Sequence, residues 1–242
     1  MNTHLRILTA LAEEALAAPD APLTGTALGN CLSAARAGRA GLASLPHGSD
    51  PASAQAPDDL PETAHELVRL LTGPCPPVTA SLAVAAMNAL LSPPPEARDA
   101  KGQNVVLKHG RDRRVVVVGH FPFVERLAEH FESFHVLELR PRPGDLPAES
   151  AGEVLPKADV AVLTGSSLVN GTLGGLMDLL SPDAFVMLLG PSAPFARCLF
   201  DLGFDVVAGA EVTDPETAMD GVGKGLSFRE LKGVRSLAWF RK

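Results

Sequence analysis

Apolar positions near the start of the chain fall on a helical beat: Leu5, Leu8, Leu11, Ala12, Ala15 and Leu16 recur at three- and four-residue spacing. They lay one stripe along a helix that must end before Pro19. From Thr24 to Leu45 glycines interrupt the pattern, and the pieces CLSAAR and AGLASL around Ala37-Gly38 read as the arms of a short hairpin. His47 to Pro61 is Pro-rich without periodicity, which predicts a surface loop. Two helices follow, Glu62 to Leu71, started by Pro61, and Val78 to Leu91, whose Leu82, Ala85, Ala86 and Leu90 share a face. Ser92 to Asp112, rich in Pro, Gly and charge around Val105, Val106 and Leu107, reads as a linker and sets a domain boundary near residue 110.

After Arg114 the beat shortens. VVVVG (115–119), HVLEL (135–139), DVAVLTG (159–165), AFVMLLG (184–190) and DVVAG (205–209) are short apolar runs separated by helix-length spacers. Such runs suit strands buried on both faces, and the alternation predicts a parallel sheet covered by helices on each side. SLAWF (236–240) adds a last strand. The expected fold class is therefore α/β, with residues 1–110 as a smaller domain and 111–242 as a Rossmann-like, doubly wound domain.

Composition narrows the partners. The chain has 242 residues, 46% of them hydrophobic and 20% charged, enough for a real core. Its formal charge of -7 leaves no positive field for a polyanion, so nucleic acid is not an expected partner. Cys31, Cys75 and Cys198 lie far apart, fitting neither a disulfide framework nor a thiolate zinc site and suiting a reducing cytoplasm. Glu13 and Glu14 interrupt any signal-peptide core, and prolines break the longest uncharged stretch, so neither an export signal nor a membrane span is expected.

In a doubly wound sheet, ligands sit beyond the carboxyl ends of the strands, where the strand order reverses. The loops there are Gly119-His120-Phe121-Pro122, Glu138-Leu139-Arg140-Pro141, Thr164-Gly165-Ser166-Ser167 with Asn170, and Gly190-Pro191-Ser192. The first lacks the second and third glycines of a dinucleotide fingerprint. Glu138, 19 residues past Gly119, stands where a ribose-binding acid belongs, and equally where a solvated strand-end carboxylate would. The hydroxyls of Thr164, Ser166 and Ser167 and the following amides can hold an anion or simply cap a helix. GPSAP repeats that design with Ser192 as the cap. His120 has the best location of the seven histidines, although a lone histidine is more often surface or cap than ligand, and no spacing marks a metal site. No G-x-S-x-G elbow, P-loop or kinase signature occurs, and GVGKG (221–225) reads as a surface turn.

The motifs VVVVGHFPFVERL, ELRPRPG, DVAVLTGSSLVNGTLGGLMDLL and LLGPSAPFARCLFDLGFDVVAGAEVTD, in this order, resemble a family of prokaryotic proteins named for heavy-metal chelation. Upstream, GLASL and SLAVAAMNALL look like that family's smaller α+β domain, similar to the N-terminal domain of enolase. The resemblance implies a cleft between an enolase-N-terminal-like domain and a Rossmann-like domain. Carried over by position, the cleft would be lined by Gly119, His120, Phe121 and Pro122, by Glu138, by Thr164, Gly165, Ser166 and Asn170, by Gly190, Pro191 and Ser192, and by Asn88 from the N-terminal side. His120 and Glu138 are then the candidate metal ligands, with a metal ion as the implied cofactor. Three readings stay open: a cytoplasmic protein binding a metal or metal chelate, an enzyme acting on a nucleotide-like or amino-acid-like molecule, and an assembly protein, as a homo-oligomer, whose cleft is a packing seam. On any ligand-binding reading Glu138→Gln is expected to weaken binding with little loss of stability, and Ser166→Ala to weaken it less.

Overall fold

The computed structural model describes residues 2–45, 57 and 59–242. The chain is α/β, with an eight-stranded, mostly parallel sheet and a separate three-stranded antiparallel one. Most of the loop expected at His47–Pro61 lies outside the described residues.

The helix α1 (Thr3–Leu16) buries the expected stripe through Ile7, Leu8, Leu11, Ala12 and Ala15, and Asn2 caps it by accepting from the Leu5 amide. The strands β1 (Gly25–Leu28), β2 (Leu32–Ala37) and β3 (Arg39–Ser44) form an antiparallel meander. The hairpin turns at Gly38, whose φ of 68° favours glycine; β1 had no pattern to announce it. The next helix, α2 (Ala64–Arg69), starts at a Thr63–Glu66 capping box rather than at Pro61. The following α3 (Pro77–Leu90) is buried nearly all round. It lies so close on the hairpin that a Cβ on Gly41 would stand 2.2 Å from the Ala85 carbonyl oxygen.

The expected linker is structured. Strand β4 (Arg98–Asp99) pairs with the last strand of the large sheet, and α4 (Gly102–Gly110) buries Val105 and Val106 against that sheet. A window dense in Pro and Gly concealed a short helix whose apolar side is only two residues wide.

The remaining elements are β5 (Arg114–Val118), α5 (Val124–Leu127), β6 (Ser133–Glu138), β7 (Leu146–Pro147), α6 (Ala151–Val154), β8 (Val160–Thr164), α7 (Ser166–Val169), α8 (Leu173–Asp178), β9 (Phe185–Leu189), α9 (Cys198–Asp201), β10 (Val206–Val212), α10 (Pro215–Gly223) and β11 (Val234–Phe240). The expected spacer helices are mostly single turns. GVGKG is not a free turn: its first three residues end α10, with Gly221 and Val222 buried.

The large sheet runs β4-β11-β10-β9-β8-β5-β6-β7. From β5 to β10 the pairs are parallel, while β11 and β4 join antiparallel. Renumbered from β5, the parallel part is ordered 3-2-1-4-5-6, the Rossmann order, and it reverses between β5 and β8. Alternate residues feed two cores. Val116, Leu137, Ala161, Leu163, Val186 and Leu188 pack with α1, α2 and α3, while Val115, Val117, Val136, Val162 and Met187 pack with α4 and α5. A strand buried on both faces reads as an unbroken apolar run for this reason.

Candidate functional site

Beyond the carboxyl ends of β5, β6 and β8 opens a cleft of about 770 Å³. The meander supplies one wall through Cys31, Leu32, Ser44 and Leu45; α8 and the loop before it supply another. Gly119, with φ of 101°, lets the chain turn out of β5 beside Thr164, which a Cβ would approach to 3.1 Å.

His120 is anchored at the rim of this cleft. Its Nδ1 lies 3.0 and 2.9 Å from the two carboxylate oxygens of Asp145, and the two side chains are only 8% and 4% exposed. Asp145 also accepts from the Arg142 amide in the turn that closes at Gly144. Facing a carboxylate, Nδ1 is the donor, and Nε2 is left without a hydrogen-bond partner among the described residues. Nε2 is 3.9 Å from the exposed Glu125 carboxylate, beyond hydrogen-bond reach. Sequence reasoning missed Asp145: the PRPGD turn was visible, but nothing in it says that the carboxylate meets a histidine 25 residues earlier.

Glu138 is a half-buried carboxylate at the cleft wall. One of its oxygens accepts from the His120 amide and the other from the Leu139 amide, each at 2.8 Å. These bonds tie the β5 and β6 loops together, with each oxygen accepting one amide.

The hydroxyls after β8 also bond among themselves. Thr164 Oγ1 and Ser166 Oγ are 3.0 Å apart, and Ser167, fully buried, donates to the Thr164 carbonyl at 2.6 Å. Neither serine caps α7, whose N-cap is Gly165 and which is a single turn of four residues, so a helix-end anion site has little basis here. Asn170 accepts from both the amide and the hydroxyl of Thr172 and shapes the turn through Gly171.

Of the thirteen residues proposed from sequence, Gly119, His120, Phe121, Glu138, Thr164, Ser166, Asn170 and Pro191 line the cleft. Pro122 and Gly190 border a second cavity instead. Gly165 packs against Ser192, with room for no Cβ. Ser192 is fully buried and accepts from the Ser44 amide at 2.7 Å, so it stitches the hairpin to the Rossmann part rather than capping a helix. Asn88 donates to the Leu42 and Pro191 carbonyls at 2.8 and 3.2 Å, a second stitch at the same seam. Lining residues without a sequence signal include Cys31, Ser44, Thr172 and Phe228, while Arg140 comes from the strand-end loop already singled out after Glu138.

A bare metal ion does not fit this site. Among the described residues no three His, Cys, Asp or Glu side chains gather in a metal-holding group. His120 Nε2 and the remaining lone pairs of Glu138 are the donors these two residues can offer, fewer than the roughly three or four protein ligands of a typical zinc site.

The fold and site define a class: a Rossmann-ordered sheet opening at its switch point onto a cleft that an antiparallel meander closes. The chain belongs to the DUF364 family, described as "Putative heavy-metal chelation", whose model it matches over residues 103–240. It is similar in fold to a DUF364 protein of unknown function from Desulfitobacterium hafniense DCB-2, with a TM-score of 0.81, 22% identity and 98% of each chain covered. A second such protein, from Pyrococcus horikoshii, gives a TM-score of 0.78 at 18% identity with 99% of each chain covered. No curated protein matches the chain. Among the described residues no helix is long and apolar enough to cross a membrane.

Proposed function

We propose that the chain binds a metal already held in a small organic chelate, taking it as cargo in the cleft between the meander and the switch point. The observation that carries this reading is the pairing of a roomy cleft with mostly apolar walls and a donor set too small for a bare ion. A chelate brings its own donors and an organic body, which suits walls such as Leu32, Leu45, Leu176 and Phe121. The protein then needs to add little, and the oriented Nε2 of His120 is the group available to add it.

Isothermal titration calorimetry with nickel(II) alone and with nickel(II) citrate tests the reading. The complex is expected to bind more tightly, and His120→Ala to weaken it. Tighter one-to-one binding of the bare ion would overturn the proposal.

A second reading rests on the His120–Asp145 pair. A buried carboxylate that fixes a histidine tautomer is also how a general base is presented to a bound molecule. On that reading the cleft holds a nucleotide-like or amino-acid-like substrate, and native mass spectrometry of the purified protein separates the two. A retained metal complex supports binding, and a retained adenosine-type ligand supports the enzyme.

A further inference from the structure

Behind the wall formed by Phe121, Pro191 and Phe228 lies a second cavity of about 690 Å³, and these three residues border both spaces. Its floor is the carboxyl end of β9 and the middle of β10, with Gly190 and Gly209 among the lining residues. That is a ligand-facing edge in open α/β sheets, two strands along from the first cleft.

The charge around this cavity is one-sided. Lys101, Arg126 and Arg229 reach it from three separate segments, and no Asp or Glu lines it. The chain carries 28 acidic against 21 basic residues, so an all-basic cavity runs against its average. Lys101, Arg126 and Arg229 are exposed and make no ion pair within 4 Å among the described residues, although the Arg229 charge also acts on the neighbouring Glu230 carboxylate. Three cations bordering one concavity that no carboxylate lines favour an anion there.

Two further features agree. Helix α4 begins at this cavity without a side-chain cap; the Asn104 amide bonds the Lys101 carbonyl, and those of Gly102 and Gln103 precede it at the cavity edge. The walls between the cations are apolar and flat, with Phe121 and Phe123 stacked at 5.4 Å between ring centroids.

We infer that this second cavity is a binding site for a small organic anion, a phosphate or carboxylate carried on a planar apolar body. The site is independent of the chelate reading, because it shares a wall with the first cleft but none of its polar groups.

Calorimetric titration of the full chain with phenyl phosphate, and separately with benzoate, tests it and identifies which anion is preferred. At least one probe is expected to bind one-to-one, with affinity falling as salt rises. Arg126→Ala combined with Arg229→Ala should weaken binding roughly tenfold or more, as expected when charge-assisted hydrogen bonds are lost. Both arginines are exposed, and a circular dichroism spectrum unchanged from wild type establishes that the double variant is folded. Arg140→Ala, at the first cleft, should leave the affinity within about twofold. No saturable heat with either probe, unchanged affinity in the double variant, or an equal loss in Arg140→Ala would each overturn the inference.

Discussion

Replacing Glu138 by Gln tests whether the carboxylate serves the fold or waits for a ligand. Its oxygens accept from the amides of His120 and Leu139, each at 2.8 Å. A glutamine oxygen can keep one of these bonds in neutral form, but its NH2 group then faces the other N–H, donor against donor. A hydrogen bond to a charged group contributes roughly 1.5–3 kcal/mol and a neutral one about 1 kcal/mol. Losing one and weakening the other would cost up to a few kcal/mol in a buried site, and partial exposure brings the expectation down to about 1–2 kcal/mol. For a chain of this length each kcal/mol moves Tm by roughly 2–4 °C, so a fall of about 3–7 °C is expected by differential scanning calorimetry. This reverses what the sequence suggested, since a free strand-end carboxylate would have been replaced at almost no cost. A fall below about 1 °C would show that the carboxylate does not hold the loops. Any affinity loss in this variant must then be read through its effect on the loop carrying His120.

Gly41→Ala should destabilise the chain by about 3 kcal/mol or more in urea titration, because the new Cβ meets backbone atoms of Ala85 and Ala89 at 2.2 and 2.5 Å; a wild-type midpoint would refute that packing. Arg114 bonds hold the Asp159 carboxyl down to about 2. The pair therefore stabilises fully above about pH 4 and loses its effect as pH falls through about 2, so the Tm gap between wild type and Asp159→Asn should be flat near neutrality and close in acid; a gap independent of pH would refute this. Burial, then the Glu14 carboxylate, pushes the Cys198 thiol up, and burial likewise raises Cys31 and Cys75. Ellman's reagent at about pH 8 should thus label the native chain slowly, with Cys198 last, and a rapid release of all three thiols would contradict the burial.

The Rossmann half was legible because its strands are buried on both faces: VVVV and VAVLT have no polar alternation to confuse with a surface strand or an amphipathic helix. The meander was harder, since β1 (GTAL) is too short and too mixed to stand out, and only the hairpin around Gly38 left a trace. Helix α4 was read as linker because propensity there opposes what packing enforces; Gly102 is present because α4 starts against Leu189, where a Cβ would come to 2.4 Å. At the site, the loops could be located from strand ends alone, yet their chemistry could not. That Glu138 ties the His120 amide, that Asn88 and Ser192 stitch a seam, and that Asp145 holds His120 all depend on pairings between segments. Sequence spacing does not encode such pairings.

Those pairings also bear on how far the two halves are separate. Ser192 meets Ser44, and Asn88 reaches Pro191, so the β3 end and the loop after β9 are sewn together at the edge of the cleft. On the far side of the meander, Leu32, Ala34 and Leu42 pack with Val222 and Leu231 from the C-terminal part. The meander is thus enclosed between α3 and α10, elements more than a hundred residues apart in the chain. Apolar residues of α1, α2 and α3 share one cluster with the inner face of the Rossmann sheet. β4 and α4 pack on the large sheet, and because α1, α2 and α3 share a core with that sheet we expect the two parts to unfold together. A cleft whose walls come from both parts then keeps its shape without a ligand, and preformed walls favour a rigid, bulky guest over a small ion that a mobile loop would have to wrap.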